Sequence, residues 1–297
     1  MPIGFLGLGQ MGAAIAERLE SPGTTLHVYD PNAAAMAPFV KRGAIGCASP
    51  KAVADQAPIV FACLPDAETS LSVAQQVADG GVVRTYVEMS TIGTPAMGRI
   101  AQIAAQRGVA LLDCPVSGGP KGARAGSLTV IAAGEPKTVE TVRPLLQQIG
   151  KNVFVAGAQP GQGQLMKLVN NLMNAANMAI AFEALVLGAK GGLDPALMVD
   201  IINVSTGRNS ATMDKVPRAV LTGSFDYGAR LKTMVKDVVL GLKEAENLGV
   251  PMWVHETVGQ LWRFGITTGR ADKDFTSLVQ VIEEWAGVQV RDHNPRA

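Results

Sequence analysis

A glycine-rich turn lies close to the N-terminus, at a spacing suited to binding phosphate groups. Gly7, Gly9 and Gly12 follow the G-x-G-x-x-G pattern, directly after a short apolar run. In a strand–turn–helix unit the first glycine permits the tight turn, the second leaves room for a pyrophosphate, and the third lets helix and strand pack closely. The pattern alone also occurs in other α/β proteins. Here its context predicts a dinucleotide site, with the backbone N–H groups around Gln10 and Met11 facing the phosphates.

Asp30 ends the next predicted strand, 18 residues after Gly12. Its carboxylate would accept hydrogen bonds from the ribose hydroxyls of the adenosine half and would repel a 2′-phosphate. Because no Arg or Lys follows Asp30 within ten residues, we expect the cofactor to be NAD and not NADP.

Two dipeptides, Leu64-Pro65 and Ser90-Thr91, stand at the ends of central strands of the predicted sheet. They lie at the edge where open α/β sheets bind their ligands. Leu64-Pro65 could also be a simple strand stop. With them, the residues expected to bind the cofactor are Gly7, Leu8, Gly9, Gln10, Met11, Gly12, Asp30, Leu64, Pro65, Ser90 and Thr91.

A second glycine-rich loop, from Asp113 to Gly126, is suited to binding a small carboxylate. Four glycines in this stretch expose backbone N–H groups, and Ser117 adds a hydroxyl. Backbone amides arranged in a concave loop bind anions. A tight loop without a ligand would have the same composition, so both interpretations stay open on the residues alone.

The most informative segment is a long apolar helix, predicted over 162–190 and expected to be buried. Lys167 lies on it within a stripe of asparagines that covers an arc of about 120°. Because burying an unpaired ammonium costs roughly several kcal/mol, the stripe should line a polar cavity or an interface, unless Lys167 extends to solvent. The asparagines are Asn170, Asn171, Asn174 and Asn177.

Lys167 is the strongest candidate for a proton-transfer group. None of the three histidines stands in a recognisable motif. Burial would lower the lysine pKa and favour the neutral form that can accept a proton. Asn171 follows one turn later on the same face.

The elements that would position these residues alternate between strand and helix up to Gly157, and from Pro160 onward only helical segments are predicted. Alternation of this kind indicates βαβ units around a parallel sheet. The sequence therefore predicts an α/β protein with a doubly wound Rossmann domain at 1–160 and an all-α domain at 161–297, joined by the long interdomain helix. The predicted strands are Ile3–Leu6, Leu26–Tyr29, Ile59–Leu64, Tyr86–Met89, Val109–Leu112, Leu128–Ala132 and Asn152–Val155.

Composition excludes several classes of partner. Among 297 residues the formal net charge is +1 and aromatic residues are 5%, which argues against nucleic acid and anionic membranes. The three cysteines lie far apart and predict neither a disulfide framework nor a metal site. We expect no signal peptide, because no basic segment followed by an apolar one is found before the first strand. The longest uncharged helical stretch, Leu168–Phe182, is too short and too rich in asparagine to be expected to span a membrane. We expect a cytoplasmic protein.

The apolar surface of the long helix, together with the late aromatic residues, exceeds what a small helical domain can bury alone. The aromatic residues are Trp253, Trp262, Phe264 and Trp285. A homodimer or homotetramer is therefore predicted.

Taken together, four motifs resemble the β-hydroxyacid dehydrogenase family over nearly the whole chain. They are Gly7–Gly12, Asp113–Gly126, the pattern Gly161-x-Gly163-x-x-x-Lys167-x-x-x-Asn171, and Lys236-Asp237. The resemblance implies an NAD-dependent oxidoreductase that passes a hydride between the hydroxyl-bearing carbon of a small hydroxyacid, or its semialdehyde, and nicotinamide.

The resemblance also implies roles for matching residues. Lys167 would be the acid–base group, assisted by Asn171 and Ser117 as catalytic residues. The residues implied to bind substrate are Ser117, Gly118, Gly119, Asn171 and Asp237, and those implied to contact the nicotinamide half are Thr91 and Lys236.

One position departs from the family pattern, because Ala229 stands where a phenylalanine is frequent; Tyr227 could supply an aromatic wall in its place. The rival interpretations are an imine or ketone reductase of the same fold, which commonly has Asp or Tyr at the position of Lys167, a 6-phosphogluconate dehydrogenase, whose helical domain is normally much longer, and a catalytically silent interaction module.

Overall fold

The computed structural model describes residues 1–292 and divides into two compact units. The first unit comprises Met1–Lys167, and the second begins at Leu168.

A nine-stranded sheet forms the centre of the first unit, in the order β3-β2-β1-β4-β5-β6-β8-β7, with β9 beside β8. The pairs from β3 across to β6 are all parallel, whereas β8 runs antiparallel to β6 and β7. The strands are β1 (Pro2–Leu6), β2 (Thr25–Tyr29), β3 (Ile45–Gly46), β4 (Ile59–Ala62), β5 (Thr85–Glu88), β6 (Ala110–Asp113), β7 (Val116–Ser117), β8 (Thr129–Ala133) and β9 (Asn152–Gly157).

Helices cover both faces of this sheet, which confirms the predicted doubly wound domain. One core contains Phe5 and Phe61, whose rings stack with centroids 6.3 Å apart, and the other contains Tyr86 and Met97. The helices of this unit are α1 (Gln10–Leu19), α2 (Ala33–Lys41), α3 (Pro50–Ala54), α4 (Ala67–Ala78), α5 (Thr94–Gln106), α6 (Gly119–Arg124) and α7 (Pro136–Ile149).

The second unit is helical throughout its described part, as predicted, with a lone antiparallel bridge between Arg230 and Asp274. Trp262 is fully buried in its core and donates its indole N–H to the carbonyl of Ala175 at 3.2 Å. The α-helices are α8 (Gln162–Lys190), which begins in the first unit, α9 (Pro195–Asn203), α10 (Leu231–Asn247), α11 (Trp253–Gly265) and α12 (Val279–Ala286). A 3-10 helix spans Phe275–Leu278, and π-helical segments span Ala211–Val220 and Ile266–Arg270.

α8 occupies the predicted span, but the expectation that so apolar a helix is buried is only half correct. Met178 and Phe182 are fully buried, whereas Met173, Ile180 and Leu187 are 59%, 51% and 75% exposed. By length and composition alone α8 could also cross a membrane, and 44% of its most apolar window is buried. One face therefore belongs to the core of the second unit, and the opposite face is an apolar surface.

Candidate active site

The glycine turn between β1 and α1 has the close approaches that its pattern predicts. Gly7 has a φ of +86°, and a Cβ there would lie 2.4 Å from the carbonyl oxygen of Cys63. A Cβ on Gly12 would lie 1.9 Å from the carbonyl oxygen of Gly7. At Gly9 a Cβ would meet open space. The space above Gly9 and the free N–H groups that begin α1 fit a pyrophosphate.

Asp30 lies beside this turn and fixes it. Its Oδ2 accepts a hydrogen bond from the backbone N–H of Leu8 at 2.7 Å, and its Oδ1 accepts one from Asn32 at 2.8 Å. Each carboxylate oxygen has a second lone pair, so Asp30 can still accept hydrogen bonds from ribose hydroxyls. These contacts are compatible with the predicted role of Asp30, which stays a prediction.

Ser90 ties the ends of β4 and β5 together, and a buried carboxylate that the sequence interpretation missed, that of Glu88, holds Ser90 in place. Ser90 Oγ accepts the N–H of Leu64 at 2.7 Å, and the N–H of Ser90 donates to Glu88 Oε1 at 2.9 Å. Glu88 also accepts the Tyr86 hydroxyl, and burial raises the pKa of its carboxyl. A charged residue inside an apolar strand was the available signal for this contact.

The other two strand-end residues differ in exposure. Pro65 is exposed after β4, and Thr91 is half-buried after β5.

The segment predicted as a loop after Asp113 contains a short helix, α6, which its glycines did not indicate. Ser117 is half-buried at the end of β7. Gly118 and Gly119 follow with φ values of +130° and +66°. A Cβ on Gly118 would lie 2.9 Å from a methyl of Leu128, whereas one on Gly119 would meet open space. The backbone at Gly119 is thus accessible to a small ligand.

Asp113 caps the start of α8. Its Oδ2 accepts the backbone N–H groups of Gly161 and Gln164, each at 2.9 Å, and its Oδ1 accepts the side-chain amide of Gln164 at 2.8 Å. Burial raises the pKa of Asp113 to about 6, although these hydrogen bonds act in the opposite direction.

Gln164 connects this cap to the end of β5. It is fully buried, its Oε1 accepts the N–H groups of Ile92 and Gly93 at 2.8 and 3.1 Å, and its Nε2 donates to the carbonyl of Ser90 at 3.0 Å. We name Asp113 and Gln164 the helix-start network. It fixes the first turn of α8 against the carboxyl ends of β5 and β6.

Lys167 lies one turn after Gly163, where the helix packs closely against the sheet. A Cβ on Gly163 would lie 2.9 Å from both Asp113 Oδ2 and the carbonyl oxygen of Ile131. Lys167 itself is 8% exposed. Its side chain therefore does not extend into solvent, which was the alternative to a polar cavity.

In the second unit, Asn171 and Asp237 form a buried pair. Asn171 Nδ2 donates to Asp237 Oδ2 at 2.7 Å, and both residues are 6% exposed. Asn170 donates to Asn171 Oδ1 at 3.1 Å. Lys236 Nζ lies 3.3 Å from Asp237 Oδ1, at ion-pair distance but without the alignment of a hydrogen bond. The amide of Asn171 is thus held in one orientation.

The remaining stripe residues are more accessible. Asn170 is exposed, and Asn174 and Asn177 are half-buried. Tyr227 packs on Phe275 and donates its hydroxyl to Asp214. Within residues 1–292, no three His, Cys, Asp or Glu side chains lie close enough to hold a metal ion.

Comparison with known proteins shows the family of the chain. Residues 2–157 match the NAD binding domain of 6-phosphogluconate dehydrogenase, and residues 161–282 match a domain described as NAD-binding of NADP-dependent 3-hydroxyisobutyrate dehydrogenase. The chain is 35% identical to 2-(hydroxymethyl)glutarate dehydrogenase from Eubacterium barkeri, over 97% of each chain.

Two solved structures share the fold. One is 3-hydroxyisobutyrate dehydrogenase from Mycobacterium tuberculosis with L-serine, at a TM-score of 0.86 and 27% identity, covering 95% of this chain and 98% of that one. The other is Psf3 in complex with NADP⁺ and 2-OPP, at a TM-score of 0.81 and 26% identity, covering 94% and 99%. The cofactor is therefore a pyridine nucleotide, and the chain belongs to the β-hydroxyacid dehydrogenase family of oxidoreductases, which act on the CH–OH group of hydroxyacids.

Proposed function

We propose that this chain is an NAD-dependent dehydrogenase of a small β-hydroxyacid, with Lys167 as its acid–base residue. The observation that carries the proposal is the burial of Lys167 on the stripe face of α8, directly after the helix-start network. Bound NAD would supply the hydride acceptor. Neutral Lys167 takes the hydroxyl proton during oxidation, and its ammonium returns a proton during reduction of the semialdehyde.

Substrate orientation falls to Ser117, Gly118, Gly119 and Asn171 in this proposal. Ser117 and the backbone of Gly118 and Gly119 bind the substrate carboxylate, because both glycines have positive φ and the space beside Gly119 is open. Asn171 orients the substrate, and its amide is held for this task by Asp237. Lys236 and Thr91 contact the nicotinamide half.

NAD is the preferred cofactor in this proposal. Asp30 stands at the end of β2 with two lone pairs available, and its charge opposes a 2′-phosphate. Leu64, Pro65 and Ser90 line the cofactor where β4 and β5 end.

The enzyme works as a cytoplasmic homodimer or homotetramer in this proposal. The exposed apolar face of α8 supports association of the second unit with a further copy, since faces of this kind are typical of interfaces.

Lys167→Ala and Lys167→Arg test the proposal. Substrates named by the relatives, 3-hydroxyisobutyrate and 2-(hydroxymethyl)glutarate, are screened with NAD⁺ and NADP⁺. Loss of a general acid–base group should lower kcat by about 10²–10⁴-fold, and Arg should be nearly as poor because a guanidinium keeps its proton.

Binding of NADH, followed by fluorescence, should stay near that of the unmodified enzyme in both variants. Full turnover by Lys167→Ala would show that the lysine is structural. Binding of NADH without turnover of any hydroxyacid would favour a silent interaction module.

A further inference from the structure

Lys215 is a buried ammonium with little to bind it. It lies on the π-helical segment Ala211–Val220 and is 7% exposed. Its Nζ donates one long hydrogen bond, 3.4 Å, to the carbonyl oxygen of Ser210. An ammonium carries three donors, and a buried charge without partners is costly. Burial lowers the pKa of this lysine accordingly.

The neighbouring carboxylate is engaged elsewhere. Asp214 Oδ1 accepts Arg218 at 2.9 Å, and Asp214 Oδ2 accepts the Tyr227 hydroxyl. Lys215 Nζ lies 5.5 Å from the centre of the Tyr227 ring, a cation–π contact. Among residues 1–292, no carboxylate comes within 4.0 Å of Lys215 Nζ. Two cations, Lys215 and Arg218, thus surround one aspartate.

Ser210 and Asn174 lie between Lys215 and the pair Asn171 and Asp237. The exposed Ser210, whose carbonyl contacts Lys215, donates its hydroxyl to Asn174 Oδ1 at 3.5 Å. Asn174 follows Asn171 by three residues on the same face of α8, a rise of about 4.5 Å. These polar groups therefore lie on the side of α8 that carries Asn171, which is proposed to orient the substrate, next to a cation that has no carboxylate within 4.0 Å among the described residues.

We propose that Lys215 binds a second carboxylate of the substrate, so that the enzyme prefers a β-hydroxyacid that is also a dicarboxylate. This inference rests on the proposed function of Asn171. A substrate carboxylate would accept hydrogen bonds from the ammonium N–H groups of Lys215 that the carbonyl oxygen of Ser210 does not use. A charge-assisted bond in such a poorly hydrated place is worth more than one at the surface. Monocarboxylates would leave the ammonium without that partner.

A matched pair of substrates tests the proposal in the complete enzyme with NAD⁺. 3-Hydroxyisobutyrate and 2-(hydroxymethyl)glutarate share the reacting hydroxyacid group and differ in one substituent, a methyl against a carboxyethyl chain. The unmodified enzyme should show the higher kcat/KM for the dicarboxylate.

Lys215→Met should raise KM for the dicarboxylate by about 10–100-fold, the value of one charged hydrogen bond. It should change kcat for that substrate little and leave the monocarboxylate within about threefold. Lys215→Arg should restore part of the lost KM, because the charge is kept. Lys243→Met, which removes an exposed lysine elsewhere in the second unit, is the control and should match the unmodified enzyme.

Equal losses for both substrates in Lys215→Met and Lys215→Arg would overturn the proposal and make Lys215 structural. A preference of the unmodified enzyme for the monocarboxylate would also overturn it. Calorimetric binding of glutarate, with butyrate as the reference, separates this inference from the proposed function. Glutarate binding that depends on Lys215, in a protein that turns over neither hydroxyacid, would support the anion site and reject the dehydrogenase assignment.

Discussion

At the scale of single residues, Asp30 shows how one carboxylate can shape a turn and select a cofactor. Its two oxygens hold the backbone of Leu8 and Asn32. Replacement by alanine would release both amides, so the informative change is Asp30→Asn. This variant keeps one acceptor oxygen and removes the charge that repels a 2′-phosphate.

We expect Asp30→Asn to raise the ratio of kcat/KM with NADPH to that with NADH by roughly tenfold, about 1.4 kcal/mol. Steady-state kinetics with both cofactors measures the ratio. Asp79→Asn, which alters an exposed aspartate after α4, should leave it unchanged. A preference of the unmodified enzyme for NADPH would contradict the assignment of Asp30.

The glycines and Asp30 could be identified from sequence because the turn depends on local backbone geometry. Gly7 and Gly12 each stand where a Cβ would strike a carbonyl oxygen, and such constraints leave a fixed pattern. Asp113 and Gln164 could not be found in this way. Each of them lies 48–74 residues from its hydrogen-bond partners in other segments of the chain. No short sequence pattern therefore predicts these contacts, and neither residue is unusual in its own segment.

At the scale of elements, the start of α8 depends on a glycine that lets the helix touch the sheet. Gly163→Ala would place a methyl 2.9 Å from Asp113 Oδ2 and from the carbonyl oxygen of Ile131. We expect a loss of about 1–3 kcal/mol in the free energy of unfolding and a lower kcat, because the turn that carries Lys167 must shift. Urea unfolding and steady-state kinetics measure the two effects.

Gly98→Ala is the matched control for this prediction. Gly98 also lies inside a helix, α5, but a Cβ there meets nothing within 4 Å. Alanine should therefore stabilise the protein by about 0.5–1 kcal/mol. If both glycine variants were equally stable and active, close packing at Gly163 would not position the helix.

The helix-start network should also make stability depend on pH. The pKa of Asp113 is raised by burial to about 6 from an ordinary value of 3.8. The native state then binds the proton more tightly than the unfolded state. The contribution of Asp113 to the free energy of unfolding is therefore greatest below the unfolded pKa, and it falls as the pH rises from about 4 to about 6.

Comparison with Asp113→Asn isolates this effect. The free energy of unfolding of the unmodified protein, relative to that of the variant, should fall by about 2 kcal/mol between pH 4 and pH 7. Denaturant unfolding at several pH values measures the difference. A difference that rises over this interval would mean that the N–H donors around Asp113 outweigh its burial.

At the scale of the whole molecule, the sequence predicted the parallel part of the sheet and the helical second unit, since both follow from periodicity. It missed β3 and β7, because two residues carry no alternation. The antiparallel placement of β8 also escaped prediction. Strand direction depends on pairing across the sheet, which hydrophobic patterning alone does not encode.

The exposed apolar surface of the second unit leads to a prediction about assembly. Ile180 and Leu187 on α8 are 51% and 75% exposed, and Trp253 at the start of α11 is 84% exposed. Such residues lose their contact with water when a further copy packs against them. This burial stabilises the association by about 25 cal/mol for each Å² of apolar surface removed from water. We expect light scattering at micromolar concentration to give the mass of a dimer or tetramer.

Ile180→Asp should reduce that mass, because a carboxylate buried in an apolar interface is strongly unfavourable. The isolated chain should keep its fold, since the position is half open to solvent. Val40→Asp, which alters a 48% exposed valine on α2 in the first unit, should leave the mass unchanged. A monomer in the unmodified protein would show that these faces do not mediate assembly.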